Sequence, residues 1–281
     1  REYVKRSRKK SLEMRNINLP AVIVRSDGSL MSSELTREGA VETLLCGPAS
    51  SIRGGMALTG EKNSIIIDMG GTTTDMAIVR SGAPVLAEEG INIGKWRTYV
   101  KGVYIDTFGL GGDSEVRVDK KGHLFLGSRR LIPLCIAAGK WPVIVSELKK
   151  LVSSTKKHTH PLHEFIVALK DISAGKNYTF DEKEFMLRLG KDPMILTKAA
   201  EAAGTDIYNF KMDRLEREGV IARIGLTPTD IMHIKGDFND YDKEASLLGL
   251  KFAASCAEED ENDFAEMVYD KVKRKLYYNI I

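Results

Sequence analysis

The chain has 281 residues, of which 43% are hydrophobic and 29% charged, and its net charge is +3. This composition is typical of a globular protein with one large domain or two, and the charge alone implies no nucleic-acid or membrane partner. We see no signal peptide and no apolar run near the roughly 20 residues of a membrane span. Three cysteines, odd in number and far apart, argue against a disulfide framework and for a reducing, cytoplasmic compartment.

The first elements expected in chain order are a helix over residues 1–16 and a short strand at Ala21–Arg25. The helix carries the basic run KRSRKK at 5–10, which we interpret as an exposed helix face and not as a nucleic-acid arm. Gly47-Pro48 then starts a second helix. Its small residues allow close approach of another backbone or of a ligand, and they are Ala49, Ser50, Ser51, Gly54 and Gly55.

The stretch IIIDMGGTTTD at 65–75 is the most informative part of the sequence. Three consecutive β-branched residues predict a buried strand that ends near Asp68. Two glycines then predict a tight turn before a second strand at Met76–Arg80. We therefore expect an antiparallel hairpin with Asp68 and Asp75 both near the turn.

The chemistry of this turn suits a nucleotide phosphate. Adjacent glycines let the backbone approach a ligand, and their N–H groups can form an anion-binding concavity. Two carboxylates would repel a bare phosphate but suit one carried with Mg²⁺, which prefers oxygen ligands. An ordinary hairpin turn is the alternative. The candidate ligands are Asp68 and Asp75 for the metal, and Gly70, Gly71, Thr72, Thr73 and Thr74 for the phosphates.

A second glycine-rich segment, GLGGDSEVRVD at 109–119, leads into a predicted strand. Gly111 and Gly112 would present backbone N–H groups beside the carboxylate of Asp113 and the hydroxyl of Ser114. Alone this signal is weak. Phosphoryl transfer, however, needs a phosphate cradle, a carboxylate that holds the metal and a group that orients the nucleophile. We therefore predict that this segment belongs to the same site, with Asp113 and Ser114 as catalytic candidates.

The remaining patterns divide the chain at about residue 145. Before it, strands are predicted at Val85–Glu88, Thr98–Ile105, Ser114–Val118 and His123–Leu126, the last two as a hairpin. After it, helical periodicity is predicted at Glu147–Ser153, Asp181–Leu189, Met194–Ala203, Phe210–Glu218, Asp242–Glu258 and Asp260–Tyr278.

Two segments of the second half admit another class of function. Three histidines, His158, His160 and His163, lie close enough in sequence to bind a metal, but no cysteine or paired carboxylate completes a tetrahedral set, so a solvated loop is favoured. Residues 214–228 have the layout of a winged helix-turn-helix. A DNA reader should be basic there, whereas residues 181–218 carry seven Lys/Arg against nine Asp/Glu. We expect a helical packing module and no nucleic-acid partner.

Four segments together resemble the hydantoinase/oxoprolinase A family, of the N-methylhydantoinase A type: CGPASSIRGG (46–55), IDMGGTTTDMAIV (67–79), DTFGLGGDS (106–114) and GLTPTDIMHIKG (225–236). The resemblance implies the α/β fold of the actin-like ATPase superfamily. Residues 1–145 would form an RNase H-like ATPase lobe that carries the phosphate hairpin. Residues 146–281 would form a mainly helical inserted subdomain. Relatives cleave cyclic amides such as hydantoins and 5-oxoproline at the expense of ATP, or carboxylate ketones.

The resemblance also implies roles for the candidate residues. Residues 70–73 would cradle the terminal phosphates of ATP, Asp68 and Asp75 would lie near Mg²⁺, and Asp113 and Ser114 would lie near the phosphoryl acceptor. The implied function is an ATP-dependent cyclic-amide hydrolase that activates the amide by phosphorylation, working with a second subunit or domain of the hydantoinase B type. The alternatives are an activating or reactivating ATPase for a partner enzyme and a small-molecule kinase of the same superfamily.

The sequence departs from the family's pattern in three places. We find no first phosphate loop and no glycine-rich adenosine segment near the carboxyl end, and Ser128 stands where a proline usually precedes the paired arginines Arg129-Arg130. We therefore expect the chain to be the second lobe of a larger ATPase, and to bind ATP weakly by itself.

Overall fold

The computed structural model describes residues 22–93, 96–119, 121–154, 160–173, 175 and 177–281. The helix expected at 1–16 lies outside these residues. Contacts divide the chain into two compact units, Arg1–Met69 with Thr74–Phe108, and Gly70–Thr73 with Gly109–Ile281. The domain boundary expected at residue 145 stays a prediction. No helix in the described ranges is both long and apolar enough to cross a membrane.

The first unit is built on an antiparallel sheet in the order β10-β4-β3, with β5 paired to β4. Three two-stranded pairs, β1 with β2, β6 with β9 and β7 with β8, accompany it. The elements are β1 (Val22–Val24), β2 (Leu30–Ser32), α1 (Ser33–Glu38), a 3-10 turn (Ala40–Thr43), α2 (Cys46–Thr59), β3 (Ser64–Met69), β4 (Thr74–Arg80), β5 (Ala83–Pro84), β6 (Leu86–Ala87), β7 (Asn92–Ile93), β8 (Trp96–Arg97), β9 (Gly102–Val103) and β10 (Ile105–Phe108).

Helix α2 confirms the helix predicted after Gly47-Pro48. It ends at Gly60, whose φ of 69° is the left-handed conformation that favours glycine. Gly55 lets the helix lie against β3, because a Cβ at this position would come 3.1 Å from the side chain of Ile66. The small core of the unit joins this helix to the sheet through Ala49, Ile52, Ala77 and Val103.

Strand β3 is the strand predicted at residues 65–67, but the expectation that it is buried was wrong for two of its three isoleucines. Ile66 faces α2, whereas Ile65 and Ile67 are 55% and 44% exposed. The reason is positional. Successive side chains of a strand point to opposite faces, and the core of this unit covers only the face that carries Ile66. The run of isoleucines therefore predicted the strand correctly, but the predicted burial of its second face was wrong.

The second unit combines a hairpin, a mixed four-stranded sheet in the order β13-β16-β14-β15, and helices. Its elements are β11 (Ser114–Val118), β12 (Leu124–Arg130), β13 (Ile132–Pro133), α3 (Leu134–Lys140), α4 (Val143–Ser153), β14 (Phe165–Ala168), α5 (Phe180–Leu189), β15 (Met194–Ile195), α6 (Leu196–Ala202), α7 (Asp213–Arg217), β16 (Ile221–Gly225), α8 (Pro228–Lys235), α9 (Lys243–Ala257) and α10 (Glu261–Ile280).

The hairpin of β11 and β12 and most of the helices were predicted from sequence. The four-stranded sheet was not, and Met194–Ile195, expected to open a helix, forms β15. These strands are two to five residues long, and short apolar runs do not separate strand from helix by periodicity. The core of this region joins β14 and β16 to α5 and α7 through Ile166, Phe185, Leu215 and Ile221.

A network of buried charges lies beside this sheet. Arg223 of β16 is paired with Glu164 at 3.1 Å and with Glu216 at 2.6 Å. Glu164 is 1% exposed, and one of its oxygens has no hydrogen-bond partner among the described residues. Burial raises the pKa of Glu164 to about 7; the charge of Arg223 opposes the shift and that of Glu115 adds to it. The Glu164 carboxyl is therefore harder to ionise in the folded protein than in the unfolded chain.

This difference predicts a pH-dependent effect of Glu164→Gln on stability. The native carboxyl loses stabilising free energy as pH rises from about 4.5 to about 7, because ionisation is then disfavoured only in the folded state. The amide does not ionise. Urea unfolding across this range should show the free energy of unfolding of the variant rising relative to wild type. The buried imidazole of His163 is common to both proteins and cancels in the difference. A difference in the free energy of unfolding that does not change with pH would contradict the raised pKa of Glu164.

Candidate functional site

The hairpin predicted at residues 65–79 is present, with β3 and β4 antiparallel. Its register places Asp68 directly opposite Asp75, and β10 places Thr107 opposite Asp75 on the other side. Directly opposed residues project from the same face of a sheet, so the three side chains lie in one row. The hydroxyl of Thr107 donates to Oδ1 of Asp75 at 2.6 Å. Two carboxylates in neighbouring positions repel each other unless a cation lies between them.

The turn itself, Gly70–Thr73, belongs to the second unit. It is closed by a hydrogen bond from Gly70 N to Thr73 O of 2.9 Å. Within the described residues, no protein acceptor bonds to the N–H groups of Gly71, Thr72 or Thr73, nor to the two threonine hydroxyls. The turn therefore offers a group of consecutive donors to an external anion.

The glycine-rich segment predicted as the second part of the site lies directly against this turn. Gly112 N donates to Gly70 O at 3.1 Å, and Asp113 N donates to Gly71 O at 2.7 Å. The approach is so close that a Cβ at Gly111 would collide with the backbone of Gly71. The two glycine-rich segments thus form one backbone-to-backbone contact inside the second unit.

The N–H groups of the second glycine-rich segment are hydrogen-bonded to acceptors within the protein. Gly111 N donates to Oγ of Ser114 at 2.9 Å, and Ser114 N donates back to Gly111 O at 3.1 Å. Ser114 is buried. The N–H groups of residues 111–114 are therefore all satisfied by the protein itself. The ligand-binding role expected for Gly111 and Gly112, and the catalytic role expected for Ser114, stay predictions.

Asp113 has a partner that sequence reasoning did not assign. Nε and Nη2 of Arg130, at the end of β12, both lie 3.1 Å from Oδ2 of Asp113. The Asp113 carboxylate is largely buried, whereas the Arg130 side chain is 67% exposed. A Cβ at Gly71 would lie 3.5 Å from Nη2 of Arg130, so the guanidinium is next to the turn. The same Cβ would collide with Oδ2 of Asp113, so both members of the ion pair lie beside the turn.

The segment TPTD at 227–230 supports the loop from behind. Thr229 donates twice to Gly112 O, from its backbone N–H at 3.0 Å and from its hydroxyl at 2.9 Å. Asp230 is fully buried and accepts five hydrogen bonds, which come from Leu134 N, Cys135 N, Thr227 N, the Thr227 hydroxyl and the Ser246 hydroxyl. Burial raises the pKa of Asp230, although these hydrogen bonds oppose the shift. The sequence signal was the capping pattern of a threonine three residues before an acid, ahead of an apolar run.

The histidines do not form a recognisable metal site in the part of the chain that the structure describes. No group of three His, Cys, Asp or Glu side chains there could hold a metal ion. His158 lies outside the described residues. His163, expected in a solvated loop, is 3% exposed and packs against Phe252. Burial lowers its pKa to about 4, so this imidazole is neutral at physiological pH.

Comparison with known proteins points to one family. The family model described as hydantoinase/oxoprolinase matches residues 1–146. Caprolactamase subunit alpha of Pseudomonas jessenii is 31% identical over 113 residues, which are 39% of this chain and 16% of that protein. A nucleotide-free structure of acetone carboxylase, from work on ATP-dependent acetone carboxylation, matches with a TM-score of 0.55 and 15% identity.

The structural match covers 95% of this chain and 28% of the acetone carboxylase chain. At this identity the likeness shows the fold. It confirms the α/β fold class expected from the sequence, and the fold is shared with that part of the acetone carboxylase chain. The chain therefore spans less than a third of the length of each of these two relatives.

The close contact between the two glycine-rich segments predicts that Gly111→Ala is destabilising. The added methyl would have to displace the backbone of Gly71, and overpacking of this kind costs about 1–3 kcal/mol. Gly139→Ala in α3 is the matched control, because a Cβ there meets nothing within 4 Å and alanine is the better helix former by up to about 1 kcal/mol. Urea denaturation of both variants measures the difference. Equal stability of the two would show that the contact is not as tight as described.

Proposed function

The chain belongs to the hydantoinase/oxoprolinase family, and we propose from this premise that it carries the phosphate-binding site of an ATP-dependent enzyme that opens a cyclic amide. The main support for this proposal is the turn at Gly70–Thr73. The N–H groups of Gly71, Thr72 and Thr73 have no protein acceptor in the described chain. Adjacent free amides on a turn held by its neighbours are a ready receptor for phosphate oxygens.

One charged group beside the turn, the Arg130 guanidinium, is suited to binding an anion there. Arg130 lies next to Gly71, and its guanidinium remains exposed although Asp113 pairs with it. An arginine fork is well suited to phosphate oxygens because it presents several donors in one plane. We assign Asp113 the role of orienting this guanidinium. The Asp113 carboxylate, which is held by Arg130 and by the surrounding fold, would then affect a bound phosphate through Arg130.

The carboxylate pair suits the cation that accompanies ATP. Asp68 and Asp75 face each other across β3 and β4, and Mg²⁺ takes one or two protein carboxylates while keeping several waters. The hydrogen bond from Thr107 orients Asp75 and leaves its other oxygen available. When bound, the metal would neutralise phosphate charge that develops during transfer. We assign Asp68 and Asp75 to hold it.

The proposed reaction has three steps. The amide oxygen of the substrate forms a bond to the terminal phosphorus of ATP, and the bond to ADP breaks. Water then adds to the activated carbon, a proton passes to the ring nitrogen, and the C–N bond breaks to leave an acyl phosphate and an amine. A second water hydrolyses the acyl phosphate to the carboxylic acid and inorganic phosphate. The contribution of the turn is to hold the transferring phosphate and stabilise its charge with fixed donors.

Partners and substrate follow from the same family relationship. One relative is called a subunit, so we propose that a second subunit or domain of the hydantoinase B type acts with this chain. The substrate class is a cyclic amide. Phosphate release that increases when a cyclic amide is added, with the ring-opened acid as product, supports this class. A phosphorylated product would indicate a kinase, and ATP hydrolysis that ignores the amide would indicate an ATPase that acts on a partner enzyme.

Asp68→Asn tests the site directly. We expect the chain to bind Mg·ATP with a dissociation constant of about 1 mM, or about 4 kcal/mol, and we expect the variant to bind at least about tenfold more weakly. The amide keeps the shape of the side chain but removes a charge that faces the metal. Asp106→Asn is the control, because Asp106 pairs with Met76 in the same sheet and projects from the opposite face. Calorimetric titration with equal affinity for wild type and Asp68→Asn would refute the assignment.

A further inference from the structure

We propose that Thr229 is a positioning residue for the phosphate turn. The inference rests on the proposed function, but the structural link itself does not involve a ligand. Thr229 gives two hydrogen bonds to Gly112 O, at 3.0 Å from the backbone and 2.9 Å from the hydroxyl. The N–H of Gly112 donates in turn to Gly70 O at 3.1 Å. Thr229 is therefore two hydrogen bonds away from the turn, and the first of the two links residues that are 117 positions apart in sequence.

The geometry leaves little room for adjustment at Gly112. A Cβ at this residue would lie 2.8 Å from the hydroxyl oxygen of Thr229. Gly112 is thus held through its carbonyl by Thr229 and through its N–H by Gly70. The peptide unit that contains the Gly112 carbonyl also contains the N–H of Asp113, which donates to Gly71 O at 2.7 Å. Movement of this unit would therefore disturb the Asp113 bond directly and the neighbouring Gly112 bond through the shared backbone.

Thr229 is itself held on a rigid support. It lies in the first turn of α8, where Thr227 and Asp230 form a reciprocal capping box. His233 accepts from Tyr241 N at its Nε2, 3.2 Å away, so its proton is on Nδ1 and donates to Thr229 O at 3.1 Å. The buried Asp230 fixes the same helix end to α3. The support therefore does not depend on the turn that it positions.

The hydroxyl of Thr229 has a protein partner. It is used in the bond to Gly112 O, so the residue acts on a ligand only through the backbone of Gly112 and Gly70. This separates it from Thr72 and Thr73, whose hydroxyls have no partner within the described chain. A positioning role predicts that losing the hydroxyl loosens the turn, whereas restoring it with serine recovers the turn.

The test compares Thr229→Val with Thr229→Ser on the 281-residue chain, with amide hydrogen exchange followed by NMR. Valine keeps the shape and removes one hydrogen bond, worth about 1 kcal/mol, so exchange at Gly112 and Asp113 should be about five-fold faster. Serine should restore wild-type exchange. The amide of Ile166 in the core should be unchanged in both, which separates a local effect from general unfolding. Thr98→Val, which loses a hydroxyl bond to Ile91 O, should leave both loop amides unchanged.

An NMR titration with Mg·ATP gives the second measurement. We expect Thr229→Val to bind about five-fold more weakly and Thr229→Ser to bind as wild type does. Unchanged exchange at Gly112 and Asp113 in Thr229→Val would overturn the positioning role. If exchange is altered in Thr229→Val but the wild-type protein does not bind Mg·ATP, the structural link is supported and the proposed function is rejected.

Discussion

The site depends on two backbone hydrogen bonds, from Gly112 N to Gly70 O and from Asp113 N to Gly71 O. They use the carbonyls of the turn, and so leave the N–H groups of Gly71, Thr72 and Thr73 to point elsewhere. Backbone hydrogen bonds of this kind need two backbone segments in van der Waals contact. This explains why residue 111 is a glycine, which has no side chain. The second glycine-rich segment thus holds the first in place, and the N–H groups of residues 111–114 are hydrogen-bonded within the protein.

Charge is arranged to match this backbone. Near the turn, Arg130 provides a positive group whose orientation is fixed by Asp113. In the sheet of the first unit, Asp68 and Asp75 place two negative groups side by side. Fixed donors and charges that need not reorganise are the main means by which proteins stabilise a transferring phosphate.

The parts of the fold predicted from sequence were those specified by neighbours in the chain. The hairpin at 65–79 follows from isoleucines, two glycines and a second apolar run, all within one short segment. The exposure of Ile65 and Ile67 was not predictable from that segment, since it depends on which elements pack over each face of the sheet. The same limit applies to the sheet of the second unit, whose order β13-β16-β14-β15 joins short strands that are distant in sequence.

The candidate site shows the same division. Sequence patterns identified both glycine-rich segments, and the structure brings them together. Arg130 and Thr229 were not assigned, because their contacts cross 17 and 117 residues. The roles given to Ser114 and Gly111 by resemblance rest on residue type, whereas the structure shows which of their atoms are already bonded. Local sequence predicts what a turn can bind; tertiary contacts decide which of its donors remain free.

The most direct measurement is an NMR titration of the chain with magnesium pyrophosphate, a probe that carries phosphates without a base or sugar. We expect the amide resonances of Gly71, Thr72 and Thr73 to shift together and to saturate with one affinity. The amides of Gly112 and Asp113, already bonded to the turn, should shift less. Shifts confined to other parts of the chain, or none at the turn at saturating probe, would contradict the claim that these three donors form the phosphate site.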